Sequence, residues 1–385
     1  MSKKNIFICF ILLILIFTFY IDFNKKDTTK VTSNIIYDER IPSAWLDNGI
    51  FKEHYNSAYK KLISLNLEEK IGQILLVRYP DVNQIEALNK YNFAGYIFYA
   101  KDFNDKTEVE VKQMINEIQT NAKIPLLTAV DEEGGKVVRI SSNSNLVSEK
   151  FKSSSELYNF GGFEEIKKDT INKSAVLSKL GLNLNLAPVV DVSTNPNDYM
   201  YERTLKENTK LTATYAKTVI AASKGTGVSY TLKHFPGYGN NKDTHVGSSV
   251  DVRTYEDILK NDLPPFEAGI EAGAEAILIS HNIVTSIDSE NPATISSKIN
   301  NLLRNKLNFT GIIITDDISM SALKEIENVD VKAIEAGNDL IITTDYEKSF
   351  NAIKTAVLNG RLEEEAINKL AFRILAWKYY KGIID

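Results

Sequence analysis

Residues 227–245 read GVSYTLKHFPGYGNNKDTH. The first six residues form an apolar, β-branched run that is typical of a buried strand. The residues that follow include Pro, Gly and Asn, which favour a loop, and they contain two of the four His of the chain. Loops that follow rigid strands often contain binding and catalytic residues. The stretch therefore predicts a buried strand that ends in a functional loop.

Apolar runs of the same kind occur eight times, and stretches with helical periodicity separate them. We predict strands within residues 71–77, 94–99, 124–130, 182–190, 228–232, 274–280, 311–315 and 339–343. Parallel neighbours need a crossover connection, so strands that alternate with helices indicate a parallel sheet. Eight such units close a (β/α)8 TIM-type barrel, which is the predicted α/β fold. A doubly wound open sheet is the alternative, although no Gly-rich phosphate-binding sequence follows the first strand.

The first residues of the chain predict export. Lys3 and Lys4 precede an apolar run at residues 6–21, which is interrupted by Thr18. We predict a signal-anchor at residues 1–24, with a cleaved signal peptide or an apolar helix of a soluble protein as alternatives. Residues 25–40 are polar and predict a stalk, and residues 41–385 predict one catalytic barrel domain. The protein is therefore expected outside the cytoplasm, either anchored in the membrane or secreted.

The composition excludes some classes of function. The formal net charge of -5 gives no support for nucleic-acid binding. The single cysteine, Cys9, leaves no internal disulfide. We expect a monomer without a nucleic-acid partner.

Ionisable residues follow the predicted strands. Six runs are followed at once by such a residue, and the second and eighth runs within two residues; the set is Arg78, Lys101, Asp131, Asp191, Lys233, His281, Asp316 and Asp345. The active site of a barrel of this type lies at the carboxyl ends of its strands. Burial of so many polar groups is costly unless they line a cavity. We therefore predict one polar pocket at this end of the barrel.

Two motifs in the predicted pocket suggest catalysis. Asp316 ends the seventh run, and a carboxylate fixed at a strand end can act as a nucleophile, while Asp317 caps the helix predicted to follow. In Asp243-Thr244-His245 the Asp and the His lie two residues apart, so an extended segment points them the same way. The pair can then act as a general acid/base. A surface turn and a metal site are the alternatives for this motif, although the chain contains no HExxH sequence.

Other polar residues suggest hydroxyl binding. Lys233 and His234 end the fifth run, and strand alternation predicts that only one of them points into the barrel. A hydrogen-bonded core histidine is the alternative for His234. Asp131, which follows the third run together with Arg139, could bind two vicinal hydroxyls, and Arg203 after the fourth run could hydrogen-bond a polar substituent; a routine surface charge is the alternative for each. Nothing indicates a phosphate group, a redox cofactor or a metal, so we expect a hydroxyl-rich substrate and no cofactor.

At this point the chain resembles glycoside hydrolase family 3, and in particular its single-barrel β-N-acetylglucosaminidases, from about Leu67 to about Gly360. The matching motifs are Leu67-Glu68-Glu69-Lys70-Ile71-Gly72-Gln73, Asp131-Glu132-Glu133-Gly134-Gly135 with Arg139, Leu186-Ala187-Pro188-Val189-Val190-Asp191, Lys233-His234-Phe235-Pro236-Gly237, Asp243-Thr244-His245 and Thr315-Asp316-Asp317-Ile318-Ser319-Met320. The fourth and fifth motifs together are highly specific for the family.

The resemblance implies a retaining hydrolase that removes terminal N-acetyl-β-glucosaminyl residues from an oligosaccharide or glycan fragment, such as one from a cell wall. It implies that Asp316 is the nucleophile and that His245, held by Asp243, is the acid/base. Most retaining glycosidases instead pair two carboxylates. The residues that resemble the sugar-binding set are Asp131, Arg139, Arg203, Lys233 and His234.

The chain departs from the family pattern in three places. Tyr238 stands where the family usually has a second His, and the sequence after Arg203 reads TLK where Ser-Phe-Gly is more usual. The chain also ends after one barrel, so we expect Asp243 and His245 to supply the acid/base that glucoside-cleaving members often draw from a second domain. The alternatives are a β-glucosidase or β-xylosidase, a phosphorolytic β-glycosidase, a metal-dependent hydrolase and an inactive surface sugar-binding protein.

Overall fold

The computed structural model describes residues 35–239, 241, 243–244 and 247–385. The chain divides into two compact units, Met1–Asp38 and Glu39–Asp385. The predicted signal-anchor and most of the predicted stalk lie outside the described residues. Within the part that is described, no helix is both long and apolar enough to cross a membrane.

Eight parallel strands form a barrel in the second unit. They are β1 Leu75–Arg78, β2 Gly95–Phe98, β3 Leu127–Val130, β4 Leu184–Asn185, β5 Ser229–Phe235, β6 Ala276–Ile279, β7 Ile312–Thr315 and β8 Ile341–Thr343. Each strand pairs with the next along the chain as far as β7, and β8 pairs with β1. A parallel bridge between Ile314 and Leu340 joins β7 to β8 and closes the barrel. The predicted (β/α)8 barrel is confirmed and the doubly wound alternative is wrong, because the last strand pairs with the first.

Helices connect the strands and cover the barrel. The α-helices are Tyr55–Leu62, Leu67–Gly72, Gln84–Tyr91, Ala100–Phe103, Glu108–Asn121, Ser154–Lys179, Thr209–Ser223, Tyr255–Asn261, Leu263–Glu271, Ser297–Asn301, Val329–Ala336, Tyr346–Leu358 and Glu364–Tyr380. Several begin with a capping box, as where Ser153 and Glu156 satisfy each other's backbone N–H groups at the start of Ser154–Lys179, a segment that kinks at Gly161 and Gly162. The stretch of helical periodicity between the fifth and sixth strands, at residues 254–273, forms two helices and not one. The second begins at Leu263 because Pro264 and Pro265 lack the N–H groups that a continuous helix needs.

A buried ion cluster ties the last helix to the barrel at the amino ends of β7 and β8. Asp339 accepts hydrogen bonds from Arg373 Nε at 2.8 Å and from the backbone N–H of Ile313 at 2.7 Å, and it pairs with Arg304. Burial acts to raise the pKa of Asp339, but Arg304 and Arg373 outweigh it and hold that pKa below its ordinary value. The helix Glu364–Tyr380 therefore closes the end of the barrel opposite the predicted site.

A short parallel pair, Val250–Asp251 with Ile283–Val284, was not predicted and lies in the loops after β5 and β6. Arg253 joins it to the barrel helices, since its guanidinium group contacts Asp251 and Asp262, both at 2.7 Å. Gly237, with φ of 120°, packs so closely on Asp262 that a Cβ there would lie 2.3 Å from Asp262 Oδ1. These contacts fix both ends of the loop that the sequence identifies as functional.

The Asp339 cluster yields a stability prediction. We expect Asp339→Asn to lower the free energy of unfolding by about 3–5 kcal/mol, because Arg304 and Arg373 would lose the buried carboxylate that they share, and Arg373 would keep only Asp47, at 3.4 Å. The control is Glu335→Gln, which removes the partner of Arg361 on the surface and should cost less than about 1 kcal/mol. Urea unfolding measures both values. Equal, small losses would show that the cluster does not hold the last helix in place.

Candidate active site

A cavity of about 620 Å³ lies at the carboxyl ends of the strands. Apolar side chains from alternate strands form its floor: Ile97, Leu186, Leu278 and Ile342. Its walls are polar and include all five predicted sugar-binding residues and the predicted nucleophile, namely Asp131, Arg139, Arg203, Lys233, His234 and Asp316. The structure therefore brings these six residues together in one concave site.

Glu133 connects three of the strand ends in this cavity. Lys233 Nζ lies 2.7 Å from a carboxylate oxygen of Asp131 and 2.7 Å from one of Glu133. Arg203 donates two hydrogen bonds to Glu133, from Nε at 3.0 Å and from a terminal nitrogen at 2.7 Å. This two-pronged contact fixes the guanidinium plane. The loops after β3 and β4 are thus joined to β5 through one carboxylate.

The charges of this network support one another. Burial acts to raise the pKa of Glu133, but Arg203 and Lys233 outweigh it and leave that pKa well below the ordinary value. Burial likewise opposes the charge of Lys233, and Asp131 and Glu133 outweigh it and raise its pKa. The network is therefore ionised and preformed before any ligand binds.

The neighbouring Glu132 shapes the loop that presents Arg139. Its buried carboxylate accepts hydrogen bonds from the backbone N–H groups of Arg139 at 2.7 Å and Ile140 at 2.6 Å. The loop after β3 is thereby folded back on itself, and the Arg139 side chain lies over the ring of Tyr99 at 5.4 Å. One terminal nitrogen of Arg139 lies 3.5 Å from Asp131.

Both Lys233 and His234 line the cavity, so the prediction that only one would point inward is wrong. The pairing of β5 with β6 shifts register between Leu232 and Phe235, and such an irregularity re-aims the side chains within it. The Lys233–His234 peptide bond in this stretch is cis. His234 is also a hydrogen-bonded buried histidine, because its Nδ1 lies 2.7 Å from Asp191 Oδ2. Its Nε2 lies 3.4 Å from Arg203.

Asp316 lies at the end of β7. Its backbone N–H donates to Ile279 on β6 at 3.1 Å, and its carboxylate accepts the N–H of Asp317 at 2.9 Å. Burial acts to raise the pKa of Asp316, but His281, His234 and the Asp317 N–H outweigh it, so that pKa lies below the ordinary value. Asp316 is therefore an ionised carboxylate on a rigid strand end.

Asp317 has a structural position. Its two carboxylate oxygens accept from the backbone N–H of Ser319 at 2.9 Å and from the hydroxyl of Thr344 at 2.7 Å. It thus joins the loops after β7 and β8. The segment predicted as a helix here is a 3₁₀ turn, Ser321–Leu323, so Asp317 closes a turn and does not cap a helix.

The loop after β5 is described in part. The N–H of Thr244 donates to the phenol oxygen of Tyr238 at 3.0 Å, and the carbonyl of Thr244 accepts the N–H of Ala322 at 3.3 Å. The latter contact places Thr244 against the turn that follows Asp316. Burial and the nearby charge of Asp243 raise the pKa of the Tyr199 phenol, so Asp243 lies close to Tyr199 at the cavity wall. His245 lies outside the described residues, and its role stays a prediction.

The predicted polar pocket at the carboxyl ends of the strands is present, but not every ionisable residue that follows a strand lines it. Several of these residues find partners nearby: Arg78 pairs with Asp102, Lys101 with Asp81, His281 with Thr294 and the carbonyl of Asp317, and Asp345 with the N–H of Lys348. The charged groups of the cavity come mainly from the ends of β3, β5 and β7 and from the loop after β4. Among the described residues, no group of three or more His, Cys, Asp or Glu is placed to hold a metal ion.

The sequence assigned no specific role to three residues of the site. Glu133 holds the guanidinium group of Arg203, Asp191 holds the imidazole of His234, and Tyr99 lies beneath Arg139. Glu133 and Asp191 occur within the family motifs and Tyr99 follows the second strand, so each position was visible. Their partners were not, because those partners are distant in the sequence.

Comparisons with known proteins agree with this architecture. The sequence profile of a family described as "Glycosyl hydrolase family 3 N terminal domain" matches residues 66–377. A protein named "Beta-hexosaminidase" from Xanthomonas oryzae pv. oryzae is 30% identical over 299 residues, which cover 74% of this chain and 86% of that protein. Another of the same name from Xylella fastidiosa is 31% identical over 304 residues, covering 76% and 89%.

Solved structures give the same result. The "glycoside hydrolase family 3 beta-N-acetylglucosaminidase from Paenibacillus sp. str. FPU-7" superposes with a TM-score of 0.77 at 28% identity, over 83% of this chain and 63% of that chain. The "Beta-N-acetylhexosaminidase from Beutenbergia cavernae DSM 12333" superposes with a TM-score of 0.71 at 26% identity, over 82% and 99%. This chain therefore spans less than two thirds of the first structure and nearly all of the second.

The low pKa of Glu133 yields a prediction on pH and stability. When pH falls below about 4.5, the unfolded chain takes up a proton at this position while the folded chain does not, so acid favours unfolding. We expect the free energy of unfolding to fall between about pH 5 and pH 3, with a shallower slope in Glu133→Gln. We also expect this variant to lose about 3–5 kcal/mol at pH 7, because two cations lose their shared carboxylate.

Urea unfolding at several pH values measures these effects. The control is Glu202→Gln, which alters an exposed glutamate at the cavity rim that pairs with Lys206 and should cost less than about 1 kcal/mol at pH 7. An unchanged pH slope in Glu133→Gln would contradict the prediction.

Proposed function

The chain belongs to glycosyl hydrolase family 3 and is a glycosidase, and from that premise we propose that it removes terminal N-acetyl-β-glucosaminyl residues from glycans. The family resemblance carried by the sequence motifs is confirmed. The preference for N-acetylglucosamine is supported by the names of the relatives, which are hexosaminidases at 30–31% identity. It is also supported by the Paenibacillus enzyme, which shares the fold at 28% identity.

The observation that best supports the mechanism is the ionised Asp316 in the wall of the cavity. In the proposed reaction, an oxygen of Asp316 attacks the anomeric carbon as the bond to the leaving oxygen breaks. This forms a covalent glycosyl-enzyme, which water then hydrolyses with retention of configuration. The lowered pKa of Asp316 keeps the carboxylate ionised at neutral pH, which a nucleophile requires.

The proposed acid/base is His245, supported by Asp243. In the first step the imidazolium donates its proton to the leaving oxygen, and in the second the neutral imidazole takes a proton from the attacking water. Asp243 accepts a hydrogen bond from the ring and stabilises its protonated form. The position of Thr244 beside the turn after Asp316 supports this assignment, because the motif then lies near the nucleophile.

The proposed sugar-binding groups are Asp131, Arg139, Arg203, Lys233 and His234. Lys233 and Arg203 are both held by Glu133, so they lose little side-chain freedom when a sugar binds. The carboxylate of Asp131 can accept hydrogen bonds from hydroxyls, and the cationic groups can donate to hydroxyl or acetamido oxygens. A hydroxyl-rich ring fits such a wall better than an apolar ligand does.

An activity screen over aryl β-glycosides tests the proposal. We expect turnover of the N-acetyl-β-glucosaminide, and we expect Asp316→Asn to reduce it by roughly 10³-fold or more because the amide is not a nucleophile. His245→Ala should reduce turnover by about 10²–10⁴-fold. Intact-mass measurement of acid-quenched wild-type enzyme should show an adduct of one sugar residue, absent from Asp316→Asn.

The matched control is Asp345→Asn. Asp345 also follows a strand, but it caps the helix Tyr346–Leu358 and does not line the cavity, so we expect nearly full activity. Full activity in Asp316→Asn would overturn the mechanism. Turnover of the glucoside or xyloside alone would overturn the substrate assignment. A requirement for phosphate with release of a sugar phosphate would replace hydrolysis by phosphorolysis.

We further propose that the protein is exported and remains attached to the membrane through its first residues. The supporting observation is the apolar run at residues 6–21 after Lys3 and Lys4. In fractionated cells, the full chain should sediment with membranes, and a variant lacking residues 1–24 should be soluble. External protease should digest the full chain in intact cells. A soluble, shortened product from the full chain would indicate a cleaved signal peptide instead.

A further inference from the structure

The backbone N–H, the carbonyl and the phenol oxygen of Tyr238 all form hydrogen bonds. Its backbone N–H donates to Asp191 Oδ1 at 2.7 Å, and its carbonyl accepts from Asn241 Nδ2 at 2.7 Å. Its phenol oxygen accepts the N–H of Thr244 at 3.0 Å and shares a second hydrogen bond of 3.0 Å with the Thr244 hydroxyl. Tyr238 therefore binds both the backbone N–H and the side-chain hydroxyl of Thr244.

The ring of Tyr238 is fixed in position. It is 3% exposed and belongs to a buried cluster with Val189 and Met200. Its edge meets the ring of His234, with 5.6 Å between the ring centroids and 72° between the planes. Asp191 holds the backbone of Tyr238 and the imidazole of His234 together. These contacts fix the position of the phenol oxygen relative to His234 in the cavity wall.

Thr244 is held from two sides. It is 2% exposed, and while Tyr238 binds its N–H and hydroxyl, its carbonyl accepts the N–H of Ala322. Ala322 lies in the turn that follows the proposed nucleophile, Asp316. Thr244 is therefore the point at which the loop after β5 is fastened to both the sugar-binding side and the nucleophile side of the cavity.

We propose that Tyr238 is a positioning residue for proton transfer: its phenol fixes Thr244, which in the chain directly precedes the proposed acid/base His245 and follows Asp243. The inference rests on the proposed function, since it assigns the acid/base to this loop. Tyr238 does not touch the reacting atoms. Its removal loosens the loop on which the proton donor lies, while the nucleophile and the sugar-binding network keep their own contacts.

The test compares leaving groups. Aryl N-acetyl-β-glucosaminides of phenol and of 2,4-dinitrophenol differ in their need for a proton, because dinitrophenolate leaves without one. For Tyr238→Phe we expect kcat/KM to fall by about 10-fold or more on the phenyl glycoside and by less than about 3-fold on the dinitrophenyl glycoside. A variant that is merely less well folded loses the same factor on both substrates.

Three further variants sharpen the test. Tyr96→Phe is the matched control, because Tyr96 is also buried and its phenol donates to the carbonyl of Gln84 at 2.8 Å, away from the cavity. It should leave the ratio of the two kcat/KM values unchanged. Thr244→Val keeps the backbone N–H bond and removes the hydroxyl, so it should give a smaller shift of the same kind. The double variant Tyr238→Phe with Thr244→Val should be no worse than Tyr238→Phe alone, because both changes act on one contact.

The outcomes separate the two proposals. Equal losses on both substrates, or no loss on either, would overturn the role of Tyr238 while the hydrolase assignment stands. If Tyr238→Phe does not fold, an unchanged ratio in Thr244→Val overturns that role. If wild-type enzyme cleaves no N-acetyl-β-glucosaminide, the proposed function fails and the inference fails with it.

Discussion

The structure of the site depends on one buried carboxylate, Glu133, shared by two cations. Lys233 ends β5, Arg203 lies in the loop after β4, and both contact Glu133 after β3 at 2.7 Å. Without this carboxylate the two cations would face each other in a partly desolvated cavity, which is costly. With it, the end of β5 and the loops after β3 and β4 are held together. Asp131 also contacts Lys233. The same contact thus contributes both stability and preorganisation.

The barrel separates the ion cluster that holds the fold from the residues that line the cavity. At the amino ends of the strands, Asp339 is surrounded by Arg373, Arg304 and the backbone N–H of Ile313. None of these four residues lines the cavity at the other end of the barrel. At the carboxyl ends, Asp131, His234 and Asp316 line the cavity. The strands between them are buried along their length. This division is expected of a (β/α)8 barrel, where the loops at one end can vary without loss of the core.

The loop after β5 joins the two functions of the cavity. Its first residues, Lys233 and His234, belong to the strand and to the cavity wall that is proposed to bind sugar. Farther along the loop, the phenol of Tyr238 accepts the N–H of Thr244, and the carbonyl of Thr244 accepts the N–H of Ala322 in the turn that follows Asp316. Tyr238, a departure from the usual family pattern, has a defined structural role here because a phenol can reach both the N–H and the hydroxyl of Thr244.

The sequence alone indicated the eight strands, their parallel order, the family and six of the residues that line the cavity, because periodicity and short motifs are local properties. It did not determine that Lys233 and His234 both face the cavity, since that depends on a register shift between β5 and β6. It also could not show that Arg78 and His281 find nearby partners instead of joining the pocket. The roles of Glu133 and Tyr238 were decided by the tertiary structure, because each depends on which groups the closed barrel and its loops bring within hydrogen-bonding distance.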